Sequence, residues 1–546
     1  MSTKKINGFY LAAIVLLIIL IINRLDIRFW DGGANSDDRQ YSAEKLNKTI
    51  QYIDRLYVED VDWKAATEGA IGGLLETLDP HSAYIPPEKV KTNEENFNAR
   101  YEGIGVQFDV IQHYPTIIAV IPGSPSEKLG LRAGDQFIKI EGESTYDIKM
   151  TEVPRKLKGP KGSEVKVTIK RPTIEDPFDV VIERDEIPIY TIHTHFKVNE
   201  KTGYIWLNRF AHTTADEMEE AILQLEKQGM EQLILDLRGN GGGFLKQAVQ
   251  IVGMFIEGHK KVVYTKGRLS RFNNAFYTDD FEQPLVRNYP LIVLIDGSSA
   301  SASEIVAGAI QDYDRGLIVG TNSFGKGLVQ NEFKFSDGSR LRLTVSRYYT
   351  PSGRLIQKPY KDKDVEQYYH DGINPPQADT TITPPSDTTN KKIFYTENGR
   401  EVYGGGGIAP DIEVKYQIKY KNEKVFQAMM QKRLFFKAAA DRLRQSSLRD
   451  DNFERFKAAF QPDRRYIQSL KKLAAENEIQ LTDQILEEDR AIIKNRLKAE
   501  VARNLWGMSE YYQVILQSDN QFNKAIKLFT EINKLLAVKG NEKNEK

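Results

Sequence analysis

Blocks of apolar and polar residues along the middle of the chain predict both strands and helices. Short apolar runs typical of buried strands lie at residues 203–207, 232–235, 291–295 and 317–319. Apolar residues at helical spacing lie between these runs, at residues 214–227 and 304–312. Strands that alternate with helices predict an α/β core.

Both ends of the chain show helical spacing instead. Near the start, residues 41–57 place Leu46, Ile50, Ile53 and Leu56 at a helical period, and residues 65–78 repeat the pattern. Residues 415–546 are charged and aromatic-rich, and two apolar stripes predict packing faces. One stripe consists of Phe426, Met429, Met430 and Leu434, and the other of Ala499, Ala502, Leu505 and Trp506. The pattern leaves open whether this tail forms a homodimer, binds an adaptor or covers an active site.

An apolar segment at residues 9–22 follows Lys4 and Lys5. With its flanks it is long enough to span a membrane. The sequence Asn23-Arg24-Leu25-Asp26 comes directly after it and offers no small-residue cleavage site. We therefore expect an uncleaved, single-pass signal anchor within residues 1–30. The lysines before it place the N-terminus in the cytoplasm and the body on the periplasmic, extracytoplasmic side of the inner or plasma membrane.

Composition narrows the function classes. The 546 residues hold 76 Lys plus Arg and 76 Asp plus Glu, so net charge implies no nucleic-acid partner. No cysteine is present, which excludes disulfides and a cysteine nucleophile. His193 and His195 would share a strand face, but two histidines without nearby carboxylates are usually ordinary strand residues. We expect neither a metal nor a cofactor.

A serine cluster and a lone lysine carry the candidate chemistry. The serines follow the strand at 291–295 and precede a helix, and Lys326 sits between two glycines one strand later. Free N–H groups at a helix N-terminus stabilise an oxyanion, and a lysine that has lost its proton can activate a serine. The alternative is a small-residue turn with a surface lysine. The residue types alone do not choose among Ser298, Ser299, Ser301 and Ser303.

Two motifs approach nucleotide-binding patterns and fail. The stretch from Gly320 to Gly327 nearly matches a phosphate-binding loop, but Gly327 replaces the required Ser or Thr. The run DLRGNGGG nearly matches a dinucleotide fingerprint, but Phe244 stands where its third glycine belongs. Both failures oppose a nucleotide-dependent enzyme.

Three segments in order resemble the C-terminal processing peptidases, also called tail-specific or carboxyl-terminal proteases. They are DLRGNGGG from Asp236, SASASE from Ser299 and GKGLVQ from Gly325, and GGGGIAPD from Gly404 also matches. The resemblance covers residues 41–414 and implies a crotonase-like protease core. It assigns Ser301 as the nucleophile, Lys326 as the general base and Gln330 as the residue that orients the lysine. On an extended strand Lys326 and Gln330 would share a face.

The resemblance also assigns the oxyanion donors. It implies the N–H of Gly242 or Gly243 and, as the second donor, the N–H of Ala302, and it leaves the choice of glycine open. A D-P-H-S turn at residues 79–82 matches the family as well. We interpret His81 in that turn as a packing or capping residue rather than a catalytic one.

Residues 99–187 resemble a PDZ domain. The turn GLRAGD from Gly130 is found in PDZ domains of bacterial proteases, and the loop Gly103, Ile104, Gly105 and Val106 resembles the carboxylate-binding loop. In such a domain the loop N–H groups capture a C-terminal carboxylate while the peptide adds a strand.

Together these features predict a multidomain α/β (α+β) protein. The expected parts are the anchor (1–30), an N-terminal helical region (35–98), a β-rich PDZ domain (99–187), the protease core (188–414) with a mobile insert (358–392), and a helical extension (415–546). The predicted function is that of a membrane-anchored bacterial envelope serine endopeptidase that acts on proteins and peptides with free C-termini. The alternative is an inactive, membrane-tethered PDZ scaffold.

Overall fold

The computed structural model describes residues 36–111, 113–171, 174–281, 285–361, 365–370, 392–417, 420–444, 452–532 and 534. The predicted anchor at residues 9–22 lies outside the described residues, and so do residues 371–391 of the predicted insert. Among the described helices, none is long and apolar enough to cross a membrane.

The described residues up to Leu74 form one structural unit and those from Leu75 onward form another. The first unit holds helix α1 (Ser36–Leu56) and most of helix α2 (Trp63–Glu76), close to the predicted positions. Along α1, Leu46, Ile50 and Ile53 stay exposed.

The second unit begins with the D-P-H-S turn. The Asp79 carboxylate stabilises this turn because its Oδ1 accepts hydrogen bonds from the backbone N–H groups of His81 (2.9 Å) and Ser82 (3.0 Å). Strand β1 (Ala83–Ile85) and helix α3 (Pro87–Asn98) follow.

The PDZ region consists of antiparallel strands with short helices. Its elements are β2 (Arg100–Gly103), β3 (Val106–Ile111), β4 (Tyr114–Val120), α4 (Pro125–Lys128), β5 (Gln136–Ile140), β6 (Glu143–Ser144), α5 (Val153–Leu157), β7 (Glu164–Lys170), β8 (Phe178–Glu183) and β9 (Asp185–Pro188). The main sheet has the order β3-β4-β5-β7-β8, so β3 lies at its end, and β2 pairs with β9. Alternate residues such as Val165, Val167 and Ile169 are fully buried in its core.

The protease core is built on one largely parallel sheet. Its strands are β10 (Ile192–Lys197), β11 (Thr202–Leu207), β12 (Gln232–Asp236), β15 (Leu291–Ile295), β16 (Leu317–Gly320) and β21 (Ile412–Glu413). Only β10 is antiparallel to its neighbour in this sheet. Helices α6 (Thr214–Lys227), α7 (Leu245–Gly253) and α8 (Ala302–Asp312) cover one face in a continuous apolar core. The predicted α/β architecture is confirmed.

A second sheet lies beside the core and carries the lysine segment. Its elements are β13 (Lys261–Gly267), β14 (Ala275–Tyr277), β17 (Leu328–Lys334) and β18 (Arg340–Tyr349), together with β1. Strand β18 pairs with β1 on one side and β17 on the other. Helix α9 (Val365–His370) and the hairpin of β19 (Ile393–Tyr395) and β20 (Glu401–Tyr403) follow.

The C-terminal residues are helical, as predicted. The helices are α10 (Glu423–Gln431), α11 (Leu434–Arg444), α12 (Phe453–Ala459), α13 (Arg464–Glu476), α14 (Asp483–Glu488), α15 (Arg490–Leu505), α16 (Met508–Ile515) and α17 (Asn520–Leu528). The prediction that Phe426, Met429, Met430 and Leu434 lie on one face of a single helix is wrong. The helix is interrupted between α10 and α11 at Arg433, whose φ is +53°. Phe426, Met429 and Leu434 nevertheless share one buried cluster.

Helix α17 completes the protease core. Phe522, Ala525 and Leu528 pack against the face of the parallel sheet that α6, α7 and α8 leave uncovered, next to Ile234 and Leu294. Burying each large apolar side chain stabilises the fold by about 1.5–3 kcal/mol. The C-terminal region is therefore part of the core's packing.

Helix α11 contacts the PDZ region. Phe436 is buried with Ile111 and Ile118, and Arg433 forms an ion pair with Asp109. These residues lie on the opposite face of the PDZ sheet from its core, because the core-facing neighbour of Ile118 is Ile117.

Candidate active site

Ser301 occupies a strained turn between β15 and α8. It is the residue before the first residue of α8, and its φ and ψ are +57° and −112°. A residue other than glycine rarely adopts a positive φ, and such backbone strain concentrates at functional sites. The turn therefore projects Ser301 at the N-terminus of the helix, where N–H groups lack helical partners.

The structure separates the four candidate serines. Ser299 and Ser303 are fully buried. Their hydroxyls donate to backbone carbonyls, from Ser299 Oγ to Leu237 O and from Ser303 Oγ to Asn240 O, both at 2.8 Å. Both hydroxyls therefore hold the turn together. Ser298 and Ser301 remain partly exposed, and Ser301 alone of these two adjoins the helix.

Glu304 joins the serine segment to the lysine segment. Its Oε2 accepts the backbone N–H of Ser301 at 2.8 Å and that of Lys326 at 2.9 Å. Its Oε1 accepts the N–H of Gly325 at 2.7 Å and the hydroxyl of Ser323 at 2.5 Å. Burial raises the pKa of Glu304, and these four donors oppose that rise.

Sequence reasoning missed this residue. Its signal was available, since a Glu three residues after Ser301 stands where a helix-capping Glu reaches back to the N-cap backbone.

The pKa of the Lys326 amine is lowered by its surroundings. Burial of its side chain is the main reason that its pKa lies below the ordinary lysine value, and the charge of Arg342 lowers it further. Glu304 and Asp79 oppose this shift. In the described part of the chain no hydrogen bond or ion pair involves its Nζ. A lowered pKa makes the neutral amine accessible nearer to neutral pH.

Gln330 lies on β17 after an irregularity. The predicted shared face assumed that one strand holds both Lys326 and Gln330, but Lys326 lies before the first residue of this strand. Strand β17 begins at Leu328, and its pairing with β18 shifts register between Val329 and Gln330. The shift places Gln330 opposite Thr344, and Gln330 Nε2 donates to Thr344 Oγ1 at 3.4 Å.

The candidate oxyanion donors differ in their availability. Gly242 N–H already donates to Asn240 Oδ1 at 2.9 Å. The N–H groups of Gly243 and Ala302 have no hydrogen-bond partner among the described residues. Where the sequence left the glycine open, the geometry favours Gly243 with Ala302.

Gly242 instead packs against the turn that holds Ser301. A Cβ at this position would lie 2.6 Å from Ala300 O, 2.8 Å from Ser301 Cβ and 2.9 Å from Ala302 N. Only glycine allows this approach, and the φ of +95° favours glycine as well.

His81 is a packing residue. It is buried, its Nε2 lies 2.9 Å from the Tyr368 hydroxyl, and its ring contacts Phe324 edge-on. Burial, followed by the charge of Lys326, lowers the pKa of His81 to about 3. The ring is therefore neutral at ordinary pH.

The other two singled-out histidines contact amides, His193 with Asn208 and His195 with Gln224. Within the described ranges no group of three or more His, Cys, Asp or Glu is placed to hold a metal ion.

The PDZ loop has its carbonyls turned into the domain. Ile104 O accepts from Ser126 N (3.1 Å) and Gly105 O accepts from Ile121 N (2.9 Å). Gly105 has a φ of +81°, and a Cβ there would lie 2.1 Å from Ser124 Cβ. The N–H groups of Ile104 and Gly105 have no partner in the described part of the chain. Val106 then opens β3, the strand at the end of the sheet, so the loop and strand suit a peptide C-terminus.

A PDZ region beside an α/β core with a serine on a strained turn defines a PDZ-containing hydrolase. The family model described as "Peptidase family S41" matches residues 201–367, and the model for a PDZ domain matches residues 116–171. The N-terminal domain of the activating protease CtpB matches residues 28–89, and a family of unknown function (DUF8443) matches residues 425–507.

Three known proteins are similar to this chain. The carboxy-terminal processing protease CtpA of Bacillus subtilis (strain 168) is 33% identical over 373 residues, covering 68% of this chain and 78% of that protein. The carboxy-terminal processing protease CtpB of the same organism is 35% identical over 324 residues, covering 59% and 67%. The solved photosystem II D1 C-terminal processing protease is 26% identical and covers 68% of this chain and 86% of its own, with a TM-score of 0.35.

The chain therefore belongs to the carboxy-terminal processing proteases of peptidase family S41 and is a PDZ-containing serine peptidase.

Proposed function

We propose that this peptidase is a membrane-anchored envelope endopeptidase in which Ser301 is the nucleophile and Lys326 the general base. The observation that carries the proposal is the Glu304 carboxylate, which accepts the backbone N–H groups of both residues at one oxygen. This shared contact holds the two segments together without placing a carboxylate on the lysine amine. The amine therefore keeps the lowered pKa that a base requires.

The proposed reaction has two stages. Ser301 Oγ attacks the carbonyl carbon of the scissile peptide bond as its proton passes to the neutral Nζ of Lys326. The oxyanion accepts hydrogen bonds from the N–H groups of Gly243 and Ala302. The lysine then gives its proton to the departing amine, which leaves an ester on Ser301. Water attacks the ester with proton transfer to Lys326, and the serine regains its proton as the acid leaves.

Gln330 orients the lysine in this proposal. An amide can accept a hydrogen bond from the neutral amine through its oxygen without adding a negative charge. A Glu at this position would add that charge and raise the pKa of Lys326, so an amide suits the role.

We further propose that the PDZ loop selects substrates by their C-termini. The free N–H groups of Ile104 and Gly105 and the end strand β3 are suited to a carboxylate and an added peptide strand. The two Bacillus subtilis relatives are named for carboxy-terminal processing, which agrees with substrates that carry free C-termini.

The membrane location rests on the apolar residues 9–22 and on the lysines before them. N-terminal sequencing of membrane-extracted protein tests it. Protein that begins before residue 9 supports an anchor, and protein that begins after Asn23 shows a cleaved signal peptide.

Peptide turnover by four purified proteins across a pH series tests the catalytic assignment. We expect the wild-type rate to rise with pH as Lys326 loses its proton. Ser301→Ala should be inactive because it lacks the nucleophile, and Lys326→Ala because it lacks the base. Lys326→Arg should also be inactive, because a guanidinium does not act as a base. Near wild-type turnover by either lysine variant would refute the serine–lysine mechanism, and an inactive wild type would favour the scaffold alternative.

A further inference from the structure

Three side chains connect the D-P-H-S turn to the active-site strand through β18. Thr344 lies on β18, directly opposite Gln330 of β17. On the other side of β18, Ala83 of β1 pairs with Arg342, which brings the turn before β1 next to Thr344. The Thr344 hydroxyl lies 3.0 Å from Asp79 Oδ1 and 3.4 Å from Gln330 Nε2.

The direction of these hydrogen bonds follows from chemistry. A carboxylate only accepts, so the Thr344 hydroxyl must give its single hydrogen to Asp79. Its oxygen can then only accept from Gln330, which must present its NH₂ group. The carbonyl oxygen of the Gln330 amide is thereby turned away from Thr344.

The turn itself is held rigidly. Asp79 also accepts from the N–H groups of His81 and Ser82, and Ser82 Oγ donates to Asp79 Oδ2 at 2.7 Å. Ser82 Oγ in turn accepts the backbone N–H of Thr344 at 3.1 Å. The turn and β18 are thus joined by a backbone contact as well as by the hydroxyl. The charge of Asp79 also raises the pKa of Lys326, opposing the effect of burial.

We propose that Thr344, fixed by Asp79, is a positioning residue that sets the orientation of the Gln330 amide and so presents its oxygen for Lys326. This proposal rests on the proposed function and adds residues outside its catalytic set. It also gives the D-P-H-S turn a role in the reaction, which packing of His81 alone does not.

Two substitutions at Thr344 separate this role from packing. Thr344→Val keeps the methyl group and shape but loses the hydroxyl, whereas Thr344→Ser keeps the hydroxyl and loses the methyl. We expect Thr344→Val to lower kcat about tenfold, in the range of one lost positioning hydrogen bond, with KM unchanged. Thr344→Ser should stay within about threefold of wild type. The reverse order, with serine worse than valine, would show a packing role and overturn the proposal.

A double-substitution cycle provides the second readout. If Thr344 acts through Gln330, Thr344→Val should change kcat less than twofold in a Gln330→Ala background. Asp79→Ala also removes contacts within the turn, so its effect on kcat in the wild-type background is not diagnostic. It supports the proposal only if it no longer changes kcat in the Gln330→Ala background. Equal factors in both backgrounds would refute the proposal.

The Ser301→Ala and Lys326→Ala variants run beside these proteins. Their full activity would mean that the proposed function has failed. Their inactivity, combined with wild-type kcat in Thr344→Val, would mean that only the positioning role has failed.

Discussion

Substituting Gly242 should damage catalysis far more than the strain of the substitution explains. In Gly242→Ala the new Cβ would lie 2.8 Å from Ser301 Cβ. Carbon atoms pack at about 3.5–4.0 Å, so the turn that holds Ser301 must retreat by roughly 0.7 Å or more. A displacement of about 1 Å at a reacting group can lower the rate about 10²-fold. That factor corresponds to about 2.7 kcal/mol of lost transition-state stabilisation.

Gly239→Ala is the matched control. Gly239 lies in the same loop and has a φ of +72°, but a Cβ there would meet nothing within 4 Å. Both substitutions carry the cost of a left-handed residue, about 1–2 kcal/mol of stability. Their thermal midpoints should therefore fall by a similar amount if the turn in Gly242→Ala relaxes.

The assay is kcat/KM on a peptide substrate, measured well below both midpoints. We expect Gly239→Ala to stay within about threefold of wild type and Gly242→Ala to lose about 10²-fold. Equal activities would refute the close packing of Gly242 on the turn that holds Ser301.

Two further predictions concern charge and substrate ends. Arg342 from β18 lowers the pKa of Lys326, while Glu304 from α8 and Asp79 from the turn before β1 raise it, and His81 stays neutral above about pH 3. Arg342→Gln should therefore raise the pKa of Lys326 and move the rising limb of the kcat/KM pH profile to higher pH. Arg340→Gln, which also loses a contact with Glu332, is the control and should leave the limb in place; an unmoved limb in Arg342→Gln would contradict the electrostatic assignment. Peptides with a free apolar C-terminus should be cleaved faster than their amidated copies if the PDZ loop N–H groups bind a carboxylate as proposed, and equal rates would exclude carboxylate capture.

The parallel strands were predictable because their signal is local. Leu291–Ile295 is a buried apolar run bounded by turn residues, and the structure places the strand at the predicted residues. The helix Thr214–Lys227 was likewise predictable, since its apolar residues keep one period between clear ends.

The role of the C-terminal helices was not predictable. An amphipathic pattern shows that Phe522 and Leu528 need a partner but not which surface supplies it. That surface is a sheet face formed by residues such as Ile234, which lies nearly 300 positions earlier in the chain. The break at Arg433 escaped prediction for a different reason, because a left-handed arginine leaves no sequence signal of the kind that glycine gives.

The site was predictable in its residue types but not in its connections. The resemblance to the C-terminal processing peptidases placed Ser301, Lys326 and the glycines together in one core. The contact of Glu304 with Ser301 is local helix capping, but its contact with Lys326 depends on tertiary packing. The register shift before Gln330 likewise depends on the pairing of β17 with β18.

Mapping the residue labelled by a serine-reactive fluorophosphonate tests the central claim most directly. Purified wild-type protein, Ser301→Ala and Lys326→Ala are treated at equal concentration, digested and examined by peptide mass spectrometry. We expect one adduct on Ser301 in the wild type, none on that peptide in Ser301→Ala, and labelling at least about 10²-fold slower in Lys326→Ala, since a positioned base contributes that much. An adduct on Ser298, Ser299 or Ser303, or undiminished labelling in Lys326→Ala, would contradict a Ser301 nucleophile activated by Lys326.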